Sequence, residues 1–204
     1  MIALFLFACN EFTVNKQDDP DPVAQPDDNW DPFGQTPDWN NCTRGYHGSY
    51  YNLSINHPDI EPEQELFPSE DPNGLDWFDD QYLAFQRFDS SLDYGQNWWP
   101  VDENFAEDPQ YFAVKWTSWL RVYEDATLEF SYGASDDFWL IVDGEIRFLD
   151  VGLHEFTPSV MTLEFESGQY PIEIVYAHRS GSENGLRFRL IESDNAAICY
   201  PEFD

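Results

Sequence analysis

The chain has 204 residues, of which 18% are aromatic, and this provides enough apolar side-chain material for one sizeable hydrophobic core. Asp and Glu number 40 against 9 Lys and Arg, so the formal net charge is −31. This charge argues against nucleic acid as a partner, because neutralising phosphates requires Lys and Arg, and it favours cations, divalent metal ions above all. Solubility in a salty or calcium-rich medium is an alternative explanation of the charge.

The chain starts with a short apolar segment, residues 2–8, which Cys9 follows directly. Residues 6–9, Leu-Phe-Ala-Cys, resemble the lipobox of bacterial lipoproteins. The resemblance implies that residues 1–9 are a signal remnant and that Cys9 is lipidated. The chain would then contact a membrane only through this lipid anchor, at the outer membrane or in the periplasm, or else be secreted. The segment is short and no Lys or Arg precedes it, so an ordinary apolar strand with a buried Cys9 is the alternative.

Residues 10–41 are rich in proline and aspartate and contain almost no aliphatic side chains. Such a segment cannot bury enough apolar surface to offset the entropy lost on ordering. We therefore predict an extended, self-repelling tether over residues 10–41, followed by one folded domain over residues 42–200.

If Cys9 carries lipid, Cys42 and Cys199 remain, and they flank almost the whole predicted domain. An even number of cysteines in an exported protein predicts a disulfide bond between them. Two unrelated free thiols are the alternative.

Alternation of apolar and polar residues predicts half-buried β-strands in the second half of the chain. The alternating segments are residues 127–132, 161–166, 170–176 and 186–190. The Asp-Gly pair within residues 141–146 predicts a hairpin. Residues 56–80 are rich in proline and acids and predict a long surface insertion. Short strands separated by turns indicate an all-β, antiparallel β-sandwich with long loops.

Five segments, in one consistent order, resemble the protective-antigen domain family, a β-sandwich module named for a bacterial toxin component. The most specific is TLEFSYGASDDFWLIVDGEI, residues 127–146, in which two Asp precede a strand that ends in Asp-Gly. The other four segments lie at residues 45–54, 85–99, 111–122 and 163–190. The resemblance covers residues 44–191, includes features of the related fibro-slime domains, and implies a jelly-roll-like sandwich.

The family resemblance implies a binding or structural module. In lectin members of the family a pair of Asp binds Ca²⁺, which in turn binds sugar hydroxyls, and by matching position Asp136 and Asp137 take that role. An Asn on the last loop often joins them, which identifies Asn184 as the third metal ligand. The neighbouring Ser182 and Glu183 are further candidates for ligand contacts. Two weaker candidates for the ligand site are His154 and Trp139.

Elementary geometry poses a problem for the Asp pair, because two adjacent side chains in an extended trans chain point to opposite faces. A cis peptide between Asp136 and Asp137 would bring both carboxylates to one side, where Ca²⁺ accepts six to eight oxygen ligands. The alternative is a solvated turn, in which Asp is favoured by turn chemistry alone.

These patterns together predict a calcium-dependent carbohydrate-binding module, a lectin-like adhesin displayed at the cell surface. Its expected partner is a glycan or cell-surface polysaccharide, and the domain is expected to be monomeric. No enzymatic activity is expected, since hydrolytic motifs are absent and the adjacent Asp pair is too close to flank a glycosidic bond. The alternative is a structural or protein–protein interaction module of a surface lipoprotein, in which calcium only stiffens loops.

Overall fold

The computed structural model describes residues 38–60, 71–100, 110–180 and 183–202. The predicted signal remnant, residues 1–9 with Cys9, lies outside the described residues, as does most of the predicted tether. The tether prediction ends too late, because the first strand already begins at Asp38. Within the described residues, no helix is both long enough and apolar enough to cross a membrane.

The described residues form two antiparallel sheets, which confirms the predicted all-β sandwich. The larger sheet contains eight strands: β1 (Asp38–Thr43), β2 (Tyr46–Asn52), β3 (Leu83–Asp89), β5 (Phe112–Val122), β7 (Asp137–Val142), β8 (Glu145–Asp150), β10 (Gly168–His178) and β12 (Ala196–Glu202). The smaller sheet has the order β4 (Leu92–Gln96), β11 (Gly185–Leu190), β6 (Ala126–Ser135) and β9 (Ser159–Phe165).

Strand β5 organises the larger sheet. One of its edges pairs with β10 along its whole length, from Phe112 to Val122. Its other edge is shared, since β2 pairs with residues 112–117 and β12 pairs with residues 119–122. The first and last strands of the domain therefore reach the same part of the sheet, where β1 pairs with β12.

The main core lies between the two sheets. Phe130 and Phe188 of the smaller sheet are 1% exposed, and Ile174 and Trp116 of the larger sheet are fully buried. The rings of Phe138 and Phe188 approach to 6.0 Å across the interface between the sheets. The inward faces therefore follow the period of two that the sequence predicts.

A second core lies on the outer face of the larger sheet, where the prediction of a surface insertion is wrong in part. After β2 the chain includes three short 3₁₀ turns, Pro72–Gly74, Asp76–Phe78 and Asp80–Tyr82. Trp77 from this insertion is fully buried and its ring lies 6.3 Å from that of Trp139. The described parts of the insertion, residues 56–60 and 71–80, thus form a third layer over β7 and β10, which explains why all six residues of β7 are buried.

The hairpin between β7 and β8 confirms the Asp-Gly prediction. Asp143 and Gly144 have φ values of 52° and 75°, the left-handed conformation that a type I′ turn requires at both central positions.

The predicted disulfide is confirmed. Cys42 of β1 and Cys199 of β12 are bonded, with a Cα–Cα distance of 5.7 Å and a sequence separation of 157. Such a bond stabilises chiefly by restricting the unfolded chain, and the effect increases with loop length.

Replacing both cysteines together, Cys42→Ser with Cys199→Ser, is expected to lower the free energy of unfolding by up to about 5 kcal/mol, the chain-entropy limit for so long a loop. Urea unfolding followed by tryptophan fluorescence measures the change. Wild-type protein treated with reductant is the control, and it should match the double variant. Equal stability of oxidised and reduced wild type would contradict the assigned role of the bond.

Candidate functional site

The Asp pair lies at one end of the sandwich, where β6 passes from the smaller sheet to β7 of the larger one. β6 ends at Ser135 and β7 begins at Asp137, so Asp136 is the connecting residue. Its backbone N–H donates to the carbonyl of Ala177 on β10, at 3.1 Å. The cis peptide is at Ser135–Asp136, which corrects the prediction of a cis bond between Asp136 and Asp137.

Asp137 forms a buried ion pair with Arg179, the first residue after β10. The Arg179 Nε donates to Asp137 Oδ2 at 2.6 Å, and its second guanidinium nitrogen donates to Oδ1 at 3.2 Å. The backbone N–H of Gly152 also donates to Oδ1, at 2.7 Å. Asp137 is fully buried and Arg179 is 1% exposed, so this pair is removed from water.

Asp136 is also fully buried, but it is held by a different set of donors. The backbone N–H groups of Arg179 and Ser180 donate to its Oδ2 at 2.8 and 2.9 Å. The Ser180 hydroxyl and the backbone N–H of His154 donate to Oδ1 at 3.2 and 3.3 Å. Both carboxylates therefore accept hydrogen bonds from Arg179. Asp136 accepts from the backbone N–H of Arg179, and Asp137 accepts from its guanidinium group.

Burial raises the pKa of both carboxyl groups, but the net shifts have opposite signs. Burial alone would raise the pKa of Asp136, but hydrogen bonds from His178, Arg179 and Ser180 outweigh it, and the pKa is lowered. For Asp137, burial outweighs the hydrogen bonds and charge of Arg179, and the pKa is raised above its ordinary value. Two adjacent acids thus differ in acidity because one accepts many backbone hydrogen bonds and the other depends on one cation.

Arg179 is the functional residue that the sequence prediction missed. Besides Asp137, its guanidinium donates to the backbone carbonyl of Asp59 at 2.8 Å, and it lies 5.1 Å above the ring of Trp77. It therefore joins the Asp pair to the insertion that covers the larger sheet. The only signal in the sequence is that Arg179 is the one basic residue between β10 and β11, in a chain poor in basic residues.

His178 and Trp99 lie beside the Asp pair. The Nδ1 of His178 is 3.1 Å from the Ser135 carbonyl oxygen and 3.4 Å from Asp136 Oδ2. Both neighbours are acceptors, so Nδ1 carries a proton and donates toward them. Nε2 is buried and has no hydrogen-bond partner within the described ranges. Trp99 is 44% exposed and its ring centroid is 5.6 Å from that of His178.

Asn184, the predicted third metal ligand, is buried, and its side-chain amide bonds the backbone of Trp98. Its side-chain oxygen accepts from the backbone N–H of Trp98 at 2.7 Å, and its side-chain NH₂ donates to the Trp98 carbonyl. Asn184 therefore fixes the strand end that precedes Trp99.

The four weaker predicted contacts have different outcomes in the structure. His154 lies at the site, since its backbone N–H bonds Asp136, and its half-buried ring is 3.5 Å from Asp150. Glu183 is exposed and its carbonyl accepts from the Ser135 hydroxyl at 3.2 Å. Trp139 is fully buried in the second core, so it is a packing residue and its ligand role is corrected. Ser182 lies outside the described residues.

The arrangement does not fit a Ca²⁺ ion bound by Asp136, Asp137 and Asn184. Calcium requires a converging set of free oxygens, whereas the carboxylate oxygens of the pair already accept hydrogen bonds and the Asn184 oxygen is bonded to Trp98. Moreover, the Arg179 guanidinium already supplies positive charge at Asp137. For calcium to bind here, Arg179 would have to move away from Asp137. Calcium binding by these three residues stays a prediction.

A second cluster of possible metal ligands, His57, Asp59 and Asp76, is explained by hydrogen bonds. His57 Nδ1 accepts from the backbone N–H of Asp59 at 3.2 Å, so Nε2 carries the proton that bonds Asp76 at 3.1 Å. The Asp59 carboxylate accepts from the Trp77 indole at 2.8 Å. These bonds fix the segment around Asp59, whose backbone carbonyl accepts a hydrogen bond from Arg179.

Replacing Arg179 with Met is expected to lower the free energy of unfolding by about 3–5 kcal/mol, because it leaves Asp137 buried without a counter-charge. Arg147→Met is the matched control, since the half-buried Arg147 donates one hydrogen bond to the Glu164 carbonyl, and we expect a loss of about 1 kcal/mol or less. Urea unfolding at neutral pH measures both. An Arg179→Met protein as stable as wild type would contradict the ion pair.

The comparisons with known proteins agree on one fold. No curated protein matches this chain. The solved sugar-binding PA14 domain of an RTX adhesin is similar with a TM-score of 0.55 and 17% identity, over 76% of this chain and 98% of that one. The A domain of epithelial adhesin 9 from Candida glabrata, solved with Galb1-4GlcNAc, has a TM-score of 0.53 and 13% identity, over 82% and 90%.

An anti-sigma factor domain-containing protein is similar with a TM-score of 0.51 and 17% identity, over 78% of this chain, which spans 46% of that longer protein. The PA14 domain family itself matches residues 69–199, which is more than half of the chain. This range contains both Asp residues, Arg179 and His178. From its sequence and its two-sheet fold, the chain belongs to the PA14 domain family.

Proposed function

We propose that this chain is a carbohydrate-binding module rather than an enzyme, and that the sugar binds at the end of the sandwich that carries Asp136. Two solved structures of similar fold support this proposal, one described as a sugar-binding domain and one solved with Galb1-4GlcNAc. Both align over most of this chain, at 17% and 13% identity. At such identities the shared fold is shown, and sugar binding by this chain is our proposal.

The observation that carries the proposal is the exposed Trp99 beside the buried acidic pair. A tryptophan that is 44% exposed in a domain whose other indoles are largely packed presents an apolar face to solvent. Sugar rings have apolar C–H faces that stack on such a surface, while their hydroxyls need hydrogen-bonding groups nearby. Trp99 contacts His178, His178 contacts Asp136, and Asp136 accepts from the backbone of His154.

Polar groups for the sugar hydroxyls follow the backbone N–H of His154, which donates to Asp136. The side chains of His154 and Asp150 are 29% and 39% exposed and approach each other to 3.5 Å. An imidazole and a carboxylate together both donate and accept hydrogen bonds, as recognition of a hydroxyl requires. In this proposal Trp99 positions the ring, His154 and Asp150 bind hydroxyls, and the buried Asp136, Asp137 and Arg179 hold the loops rigid.

Sugar binding could involve calcium or not, and the two cases correspond to two forms of the site. In the calcium form, Asp136, Asp137 and Asn184 exchange their present hydrogen bonds for the ion. In the metal-free form, Arg179 keeps its place as the cation beside Asp137. The hydrogen bonds described above support the metal-free form, because the calcium form must break a buried ion pair.

We further propose that the domain functions outside the cytoplasm, as a module at a cell surface that binds glycans or cell-surface polysaccharide. The Cys42–Cys199 bond supports this location, since disulfides persist in oxidising compartments. Lipid attachment at Cys9, the acidic tether and a monomeric state stay predictions.

Trp99→Ala is expected to weaken binding of the sugar that the wild type selects on a glycan array by about tenfold, the effect of losing one stacked aromatic contact. Phe88→Ala is the matched control, because Phe88 is 43% exposed on β3 and its ring lies 6.1 Å from that of Tyr200 on β12. Isothermal calorimetry with the selected sugar measures both. A blank array would replace this proposal with the structural-module alternative.

Calcium is tested separately. We expect sugar binding to be equal in CaCl₂ and in EDTA, because Arg179 already neutralises Asp137. Calorimetric titration with millimolar CaCl₂ should show only weak binding by the many surface acids, unchanged in Asp136→Asn. Tight calcium binding that Asp136→Asn abolishes would establish the calcium form instead.

A further inference from the structure

A groove of about 880 Å³ opens at the end of the sandwich opposite the Asp136 site. Strand β11 runs from one end to the other, since Gly185 pairs with Ser135 near the Asp pair and Leu190 pairs with Phe130 beside the groove. Five residue steps along a strand span about 17 Å. The groove is therefore separate from the proposed sugar site, and its volume is in the range of pockets that bind small ligands.

Basic residues are concentrated at the groove, although the chain as a whole is strongly negative. Arg44, Arg121 and Arg189 all line it, which is three of the nine basic residues of the whole sequence. Among the described residues that line it, Glu192 is the one acid. These lining residues together carry a formal charge of +2 (three Arg minus one Glu), against −31 for the chain.

Two of these arginines have no ion-pair partner among the residues that the structure describes. Elsewhere, Arg87, Arg179 and Arg187 each pair with a carboxylate at 2.6 or 2.7 Å. Over the ranges that the structure describes, neither Arg44 nor Arg189 has a carboxylate within 4.0 Å, although both are exposed and acids outnumber bases by 40 to 9. Their guanidinium groups are available to an anion from solution, and guanidinium binds carboxylate in a bidentate manner.

The rest of the lining suits a sugar. Tyr123 is 54% exposed and its ring lies 5.2 Å from the Arg121 guanidinium, which gives an aromatic face beside a cation. The hydroxyl-bearing residues Ser90, Ser91 and Ser193 line the same groove. An aromatic face, hydroxyl groups and arginines together match a pyranose ring that carries a carboxylate.

We propose that this groove is a second binding site, specific for acidic saccharides, that is, sugars whose rings carry carboxylates. Arg44 and Arg189 bind the carboxylates, and the exposed ring of Tyr123 stacks on a sugar face. The net negative charge of the chain does not prevent this, because charges more than about 8 Å away are largely screened at physiological ionic strength. The inference is independent of the site at Asp136.

The test uses the full chain and a trimer of galacturonic acid as the probe, titrated by calorimetry in 0.15 M NaCl. We expect binding that weakens as salt is raised, and no binding of the matching neutral galactose trimer. Arg44→Gln and Arg189→Gln should each weaken binding by about fivefold or more, since each removes a charged hydrogen-bonding partner. Arg147→Gln removes the same charge from β8, outside the groove, and should change affinity by less than about twofold.

Several results would overturn the proposal. These are no binding of the galacturonate trimer, equal binding of the neutral trimer, or equal loss in Arg147→Gln and the groove variants. Inorganic sulfate bound as tightly as the trimer would show a bare anion site, and preferential binding of hexaglutamate would show an acidic-peptide site. Thermal unfolding of each variant checks that the fold is intact. Trp99→Ala should bind the trimer as wild type does, which separates this test from that of the proposed sugar site.

Discussion

Three parts of the chain meet at the guanidinium of Arg179. It pairs with Asp137 at the start of β7, donates to the carbonyl of Asp59 in the insertion, and lies over the ring of Trp77. Because the pair is buried, neither partner can be solvated by water, and each depends on the other to avoid an uncompensated charge. The turn between the two sheets, the insertion and the loop after β10 are therefore held in one mutual arrangement.

The same interaction explains why two acids stand at the head of an apolar strand. Asp137 is the counter-ion of Arg179, and Asp136 accepts the backbone N–H groups of Arg179 and Ser180. Asp137 therefore has a cation from its own chain beside it. Positive charge supplied by a side chain is permanent, whereas a bound ion depends on its concentration in the medium.

Much of the fold could be predicted from the sequence, because burial on one face of a sheet requires alternation. Leu128, Phe130 and Ile172 face the core as their spacing predicts, and the Asp143–Gly144 turn follows from its residue types. The packing of the insertion against the sheet could not be predicted, since Trp77 lies among acids and prolines and its burial depends on the apolar outer face of β7.

The site was less predictable, because its partners are distant in sequence. Adjacent Asp residues mark the position of the pair, but the pattern does not say which group neutralises it. Arg179 lies 42 residues after Asp137, on the loop that follows β10. The position of the cis peptide, one residue earlier than geometry alone indicates, likewise depends on contacts that β10 makes with the connecting residue.

The bond between Cys42 and Cys199 has a mechanical consequence. It joins β1 to β12, the first and last strands of the domain, with their Cα atoms 5.7 Å apart. A pulling force applied to the chain before Cys42 and after Cys199 passes through this covalent bond, so the long loop between them bears no tension. Both sheets, the Arg179 cluster and the groove would keep their shape under shear that unravels a sandwich held by hydrogen bonds alone.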